Sequence, residues 1–319
     1  MGTPRTKVLA LSGGIGGAKL ALGLSRVVPG ADLIVVANTG DDFEHLGLSI
    51  SPDLDTLMYT LAGLDDPVRG WGRRDETWTF MAALAALGGE TWFQLGDGDL
   101  ATHIERRRRL AAGETLSSIT AELCQRLGIA ARIVPASDDK VRTRLRTTEG
   151  WLDFQDYFVR RRCEPRALEL TYDGAERAQP NPEILSALGD MSLRAVVICP
   201  SNPFVSIEPI LAIRGLREAI ARCAAPVVAV SPIIGGRAVK GPTAKMMAEM
   251  GVPVTAEAVA RRYADLLDGY VVDHADGATP IDLGIPVTVA HTLMVTIEDR
   301  ERLARDVLAA ADAIAGTAA

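Results

Sequence analysis

"LALSGGIGGAKLALGL", residues 9–24, joins a short apolar run to a leucine-rich helical pattern through a cluster of glycines. This order predicts a buried strand, a tight turn and then the N-terminus of a helix. The first N–H groups of a helix have no partner within it, and they favour an anion at that end of the helix. We therefore expect a phosphate site in which Gly13, Gly14, Gly16 and Gly17 contact the substrate. A turn that only bends the chain is the alternative.

Two common phosphate-binding motifs do not fit this glycine cluster. The P-loop requires a glycine and a hydroxyl residue at positions that Ala18 and Leu20 occupy here. The dinucleotide fingerprint requires a small residue where Lys19 stands. The next apolar run ends at Asn38 and not at an acid that could bind a ribose. An NAD-dependent oxidoreductase is therefore the less favoured interpretation of this turn.

The composition indicates a protein that neither binds nucleic acid nor enters a membrane. The 319 residues carry a formal net charge of −7, whereas nucleic-acid binding normally needs a basic face. The four cysteines are far apart in the sequence, which is typical of reduced thiols. No apolar run reaches the roughly 18 residues of a membrane span, and the first apolar run is predicted as a strand, not a signal peptide. We expect a cytoplasmic protein.

Short β-branched runs alternate with longer helical patterns along most of the chain. This alternation predicts an α/β fold, namely a Rossmann-like, mostly parallel sheet with helices on both faces. The predicted strands are 8–11, 33–37, 195–199, 227–230, 270–273 and 286–290. The predicted helices are 18–27, 53–62, 77–87, 214–223, 243–250, 256–267 and 300–314.

The middle of the chain has a different pattern. Apolar and polar residues alternate in stretches between about 131 and 172, which predicts antiparallel strands, and helical patterns at 102–111 and 116–127 precede them. We predict an α/β core formed by residues 1–99 and 176–319. A helical and antiparallel-strand region, 100–175, is inserted between the two parts of this core.

Polar side chains follow several of the predicted strands, and ligands of such sheets bind at the carboxyl ends of the strands. Neutral loops there contribute three candidate substrate-binding residues, Ser201, Asn202 and Ser231. Other strand ends carry acids, and carboxylate oxygens are ligands that magnesium prefers. The candidate metal ligands are Asp41, Asp42 and Asp55.

Each of these features has a structural alternative. Asp53 can be no more than the N-cap of its helix, and Asp55 an acid of the first turn that the helix dipole favours. Asn202 can cap the segment that follows it, and His103 can be structural. The arginine run 106–109 is typical of a solvated helix face.

Nine short segments occur in order across nearly the whole chain: SGGIGGAKL (12–20), NTGDD (38–42), ISPDLDT (50–56), RGWGRRDETW (69–78), LGDGDLATH (95–103), PASDDKVRT (135–143), FQDYFV (154–159), PSNPFVSIEPIL (200–211) and SPIIGGRAVKGP (231–242). Together they resemble the 2-phospho-L-lactate transferase (CofD-like) family of deazaflavin coenzyme F-420 biosynthesis. The resemblance implies a magnesium-dependent transferase that moves a phospho-hydroxyacid unit from a guanosine diphosphate-linked donor. The acceptor is the ribityl hydroxyl of 7,8-didemethyl-8-hydroxy-5-deazariboflavin, and GMP is released.

The resemblance also implies roles for individual residues and a homodimer. Asp55, the second aspartate of PDLDT, is expected to contact the deazaflavin, as is Gln94, where some family members have lysine. Asp55 is the candidate catalytic residue, which either orients or deprotonates the hydroxyl or holds the metal. The resemblance does not decide whether the transferred acid is lactate, enolpyruvate or glycerate. A guanine-nucleotide-binding regulator is the non-enzymatic alternative.

Overall fold

A seven-stranded sheet forms the centre of the molecule, and every neighbouring pair of its strands is parallel. The computed structural model describes residues 5–277 and 281–317. In chain order the strands are β1 (Lys7–Ser12), β2 (Leu33–Ala37), β3 (Phe43–His45), β4 (Leu48–Ile50), β5 (Arg132–Pro135), β6 (Arg142–Thr147), β7 (Gly150–Asp153), β8 (Ala167–Asp173), β9 (Leu193–Ile198), β10 (Val227–Val230), β11 (Ile233–Ile234), β12 (Arg237–Ala238), β13 (Gly269–Asp273) and β14 (Val287–Ala290). The strand order in the main sheet is β14-β13-β10-β9-β1-β2-β5.

Helices surround this sheet. They are α1 (Gly14–Val27), α2 (Pro52–Leu61), α3 (Thr79–Ala86), α4 (Asp97–Ala111), α5 (Leu116–Arg126), α6 (Pro182–Leu188), α7 (Glu208–Leu211), α8 (Leu216–Ala221), α9 (Thr243–Glu249), α10 (Ala256–Arg261) and α11 (Ile297–Thr317). Short 3-10 or π-helical turns cover Gly30–Asp32, Asp156–Arg160 and Pro203–Ile207. Within the part of the chain that the structure describes, no helix combines the length and the apolar character needed to cross a bilayer.

Strand β1 shows how the two faces of the sheet are buried. Val8 and Ala10 pack in one core with side chains of α1, α2 and α11. Leu9 and Leu11 pack in a second core with side chains of α6, α8, α9 and α10. A parallel strand that is covered on both faces must be apolar at every position, which is why these strands are continuous apolar runs. The predicted α/β class, with helices on both faces, is confirmed.

One strand of the main sheet was not predicted. All six predicted strands are present within about two residues of their expected bounds. β5 lies within the range 100–175, yet it pairs with β2 at the edge of the main sheet. Its four residues include Arg132 and Pro135, so only Ile133 and Val134 form an apolar run within the strand. Strands β6 to β8 of the same range form a separate antiparallel sheet in the order β7-β6-β8.

Helix α1 begins at Gly14, so the glycine cluster forms the first turn of the helix and not a loop before it. Gly14 has a φ of 61°, which favours glycine. A Cβ atom on Gly16 would lie 2.4 Å from the Pro200 carbonyl oxygen, and one on Gly17 would lie 2.4 Å from Ser12 Oγ. These glycines therefore let α1 pack closely against the loop that follows β9.

Replacing Gly16 with alanine should destabilise the fold, because the added methyl group meets a backbone oxygen. The expected loss is about 1–3 kcal/mol in the free energy of unfolding, the usual effect of overpacking, measured by urea denaturation. Gly189→Ala is the matched control, since a Cβ there is 3.6 Å from its nearest neighbour, the Leu185 carbonyl oxygen. Equal stability of the two variants would show that α1 does not depend on this close approach.

Candidate functional site

A cavity of about 520 Å³ opens at the carboxyl edge of the main sheet. Its walls come from the start of α1, the start of α2 and the loops that follow β2, β9, β10 and β14. Most of the predicted site residues line it, namely Gly13, Gly14, Gly16, Asp41, Asp55, Gln94, Ser201, Asn202 and Ser231. Gly17 and Asp42 do not line it; both are buried behind its wall.

The N-terminus of α1 is already in contact with a carboxylate. Gly14 N donates to Asp53 Oδ1 at 2.6 Å, and Gly13 N donates to Ser201 Oγ at 3.3 Å. Asp53 belongs to the first turn of α2, so it stabilises the start of a neighbouring helix. The interpretation of Asp53 as the N-cap of α2 is wrong, because the N-cap position is occupied by Ser51. No local pattern in the sequence indicates this pairing, because the contact spans 39 residues.

Asp53 and Asp41 share one hydrogen-bond donor. Asn38 Nδ2 lies 3.1 Å from Asp41 Oδ1, 2.9 Å from Asp53 Oδ2 and 3.0 Å from the Val205 carbonyl oxygen. An amide nitrogen carries only two hydrogens, so these three acceptors compete for them. The two carboxylates are thus held side by side at the cavity wall.

Asp41 and Asp53 lack a positive partner. Both side chains are buried, and no Lys, Arg or His nitrogen lies within 4.0 Å of either carboxylate among the described residues. Burial, with added repulsion from Asp53, raises the pKa of Asp41 well above its ordinary value. Burial raises the pKa of Asp53 to about 6, although hydrogen bonds from Asn38 and Gly14 oppose the shift. Two buried acids without a cation form a site that a metal ion would satisfy.

Asp42 lies apart from this pair. Its Oδ2 accepts a hydrogen bond from Ser51 Oγ at 3.0 Å, and its Oδ1 is buried without a hydrogen-bond partner. Burial raises the pKa of Asp42 to about 7. The three predicted metal ligands are therefore in different surroundings: Asp41 is at the cavity beside Asp53, Asp42 is behind the wall, and Asp55 belongs to a second cluster.

Asp55 is paired with a buried arginine. Arg106 donates from Nη2 to Asp55 Oδ1 and from Nη1 to Asp55 Oδ2, the second at 3.1 Å, and its side chain is 1% exposed. The expectation of a solvated face for the run 106–109 is wrong at Arg106 and at Arg109, which pairs with Glu114 and Glu122. It is correct for the two exposed members, 107 and 108. The missed signal is the helical spacing of the buried residues 99, 103, 106 and 109 of α4.

His103 completes this second cluster. Its Nδ1 lies 3.3 Å from Arg106 Nη1, and because arginine only donates, Nδ1 is assigned as the acceptor. The proton is then on Nε2, which is 3.2 Å from Asp99 Oδ2. Asp55, Asp99 and His103 are close enough together to hold a metal ion. Arg106 already supplies a positive charge there, so the pair Asp41 and Asp53 is the better candidate.

Aromatic side chains form an apolar wall of the same cavity. Phe154 and Phe158 are stacked with ring centres 5.4 Å apart, and Trp71, Phe93 and Tyr59 also line the space. Gln94 lies at the exposed rim, where its Nε2 donates to the Thr91 carbonyl oxygen at 2.7 Å. A flat ring system can pack against such a wall.

The polar loops after β9 and β10 are shaped by their own side chains. Asn202 Oδ1 accepts from Phe204 N at 2.9 Å, so Asn202 caps the following turn while lining the cavity. Ser231 Oγ donates to the Ile233 carbonyl oxygen at 3.0 Å and accepts from Ile233 N at 3.1 Å. A substrate contact by either residue stays a prediction.

The fold and the cavity define a class: a Rossmann-like α/β protein with a ligand site at the carboxyl edge of its parallel sheet. The sequence model of the family described as 2-phospho-L-lactate transferase CofD matches residues 8–302. The chain belongs to this CofD family of transferases.

Relatives agree with this assignment, and a solved structure has a similar fold. A protein of Streptomyces griseus named phosphoenolpyruvate transferase is 44% identical over 317 residues, which is 97% of this chain and 99% of that protein. A protein of the same name from Thermobifida fusca is 42% identical over 320 residues, covering 96% and 97%. The crystal structure of a UPF0052-family protein from Bacillus halodurans is similar with a TM-score of 0.63 over 96% of this chain and 100% of that one, at 15% identity. That likeness concerns the fold alone.

Replacing Arg106 with leucine should destabilise the protein strongly, because Asp55 is left buried without its partner. We expect a loss of about 3–5 kcal/mol in the free energy of unfolding, measured by denaturant titration. Arg107→Leu, one position along the same helix and exposed, is the matched control and should change stability by at most about 0.5 kcal/mol. A small, equal effect of both substitutions would contradict a structural role for the Arg106–Asp55 pair.

Proposed function

We propose that the protein transfers a phosphoenolpyruvate unit from a guanosine diphosphate-linked donor to the ribityl hydroxyl of 7,8-didemethyl-8-hydroxy-5-deazariboflavin, releasing GMP. This reaction belongs to coenzyme F-420 biosynthesis. Membership of the CofD family supports the reaction type. The name phosphoenolpyruvate transferase, given to relatives that match nearly the whole chain, supports enolpyruvate over lactate and glycerate.

One observation carries the proposal: a buried pair of carboxylates without a cation stands at a helix N-terminus in the cavity. Anionic phosphates would be repelled by Asp41 and Asp53 unless a cation lay between them. Hard oxygen donors of this kind suit magnesium, so Asp41 and Asp53 are the residues that would hold it. When bound, the ion neutralises charge on the diphosphate and makes GMP a better leaving group.

The residues of the chain position the two substrates. The free N–H groups of the first turn of α1, such as those of Ile15 and Gly16, face the diphosphate. The Ser201 and Ser231 loops lie where the guanosine half binds, and the aromatic wall with Gln94 receives the deazaflavin ring. Arg106 fixes the Asp55 carboxylate, which orients the acceptor hydroxyl by accepting its hydrogen bond.

The chemical step is an in-line displacement at phosphorus. The hydroxyl oxygen forms a bond to the phosphorus that carries enolpyruvate, and the bond between that phosphorus and the bridging oxygen breaks. The bridging oxygen leaves with GMP as one of its phosphate oxygens. The hydroxyl proton passes to Asp55 and from there to water. The roles of Asp55 and Gln94 are the ones the family resemblance implies, and both residues line the cavity.

The direct test is a panel of three guanylated donors carrying lactate, enolpyruvate or glycerate, each incubated with the deazaflavin and magnesium. We expect mass spectrometry to detect the enolpyruvyl product and stoichiometric GMP, with turnover abolished by excess chelator and restored by added magnesium. A preference for another acid would overturn the donor assignment. Turnover that persists in excess chelator would overturn the proposed requirement for magnesium. Binding of the guanine nucleotide without any product would favour a nucleotide-binding regulator.

A further inference from the structure

The lysines of the chain fall into two groups. The sequence contains five lysines, and the structure describes all of them. Lys7, Lys140 and Lys245 each pair with a carboxylate, the first two at 2.6 Å and 3.5 Å. Lys19 and Lys240 have no carboxylate oxygen within 4.0 Å in residues 5–277 and 281–317, and these two line the cavity.

Both unpaired lysines line the cavity and are close enough to interact electrostatically. Lys19 Nζ donates to the Met294 carbonyl oxygen at 2.8 Å, which places its ammonium group at the wall. Lys240 Nζ reaches across toward Gly70, where an added Cβ would lie 2.6 Å from it. Lys19 is five residues along α1 from Gly14, about 7.5 Å along the helix axis. The same Cβ position on Gly70 is 3.8 Å from Ile15 Cδ1, so Lys240 lies beside the first turn of α1, whereas Lys19 belongs to the second turn.

The electrostatics around Lys19 favour a bound anion. Burial, together with the positive charges of Arg300 and Lys240, lowers the pKa of Lys19, and the nearby Asp65 opposes the shift more weakly. Like charges held together at a cavity wall repel one another unless a ligand supplies negative charge. An ammonium group is a compact charge with three donors on a flexible stem, which suits a small carboxylate that changes position during transfer.

We propose that Lys19 and Lys240 form a subsite for the carboxylate of the transferred acid, next to the diphosphate site at the start of α1. This inference rests on the proposed function and deepens it. The two lysines select donors that carry an acid and discriminate against bare GDP, which has no group to place there. They do not discriminate between lactate, enolpyruvate and glycerate, because all three carry the same carboxylate.

The test compares two ligands with each variant. The dissociation constants of GDP and of the enolpyruvyl-guanosine diphosphate donor are measured by calorimetry with magnesium for Lys19→Met and Lys240→Met. We expect the donor to bind about 10- to 100-fold more weakly to each variant, the usual effect of losing a charged hydrogen bond. GDP binding should change less than about threefold. Lys240 is exposed and Met retains much of the Lys19 stem, so both variants should fold, which circular dichroism checks.

Lys140→Met is the matched control, since Lys140 is 79% exposed and pairs with Glu44 outside the cavity. It should leave both dissociation constants unchanged. Equal weakening of GDP and donor by the cavity substitutions would overturn the proposal and assign the lysines to phosphate. Unchanged donor binding would overturn it as well. If the unmodified protein bound neither ligand, the proposed function itself would fail, which separates the two cases.

Discussion

The hydrogen bond from Gly14 N to Asp53 is the contact on which the site depends. It joins the first turn of α2 to the first turn of α1, so the positive end of one helix faces an acid of the other. Asn38 then brings Asp41 against Asp53. Because the close approach also needs small residues, α1 starts with glycines whose Cβ positions are filled by neighbouring atoms. The glycine cluster thus builds the wall that holds the acids.

The acids of the cavity are balanced in two different ways. Asp55 has its own guanidinium partner, buried in the same cluster with His103 and Asp99. Asp41 and Asp53 form no ion pair within the described residues and contact the side-chain amides of Asn38 and Gln155 and the Gly14 N–H, and burial is the main cause of their raised pKa values. A carboxylate that is already paired with a cation, such as Asp55, is suited to orienting a substrate. A carboxylate with no cation beside it is suited to binding a metal ion.

Features that depend on neighbouring residues in the sequence could be predicted, whereas contacts between residues far apart in the sequence could not. Buried parallel strands such as β1 and β2 are continuous apolar runs, so their positions could be predicted, whereas the four-residue β5 could not. Cavity-lining residues such as Ser201 and Asp41 follow strands, and parallel topology brings strand ends together. The partner of Asp53 could not be predicted. The sequence around an acid at the start of a helix does not indicate whether its carboxylate contacts its own helix or a neighbouring one. Arg106 was misinterpreted because a charge run conceals the helical spacing of its buried members.

We propose that Asp41 and Asp53 hold the metal ion that allows a diphosphate to bind and react in this cavity. The most direct measurement is anomalous X-ray scattering from crystals of the full chain grown with manganese and GDP. A manganese peak shared by the carboxylates of Asp41 and Asp53, with the diphosphate of GDP bound to the same ion, is the predicted result. A peak among Asp55, Asp99 and His103 instead, or GDP bound with no metal at the start of α1, would contradict it.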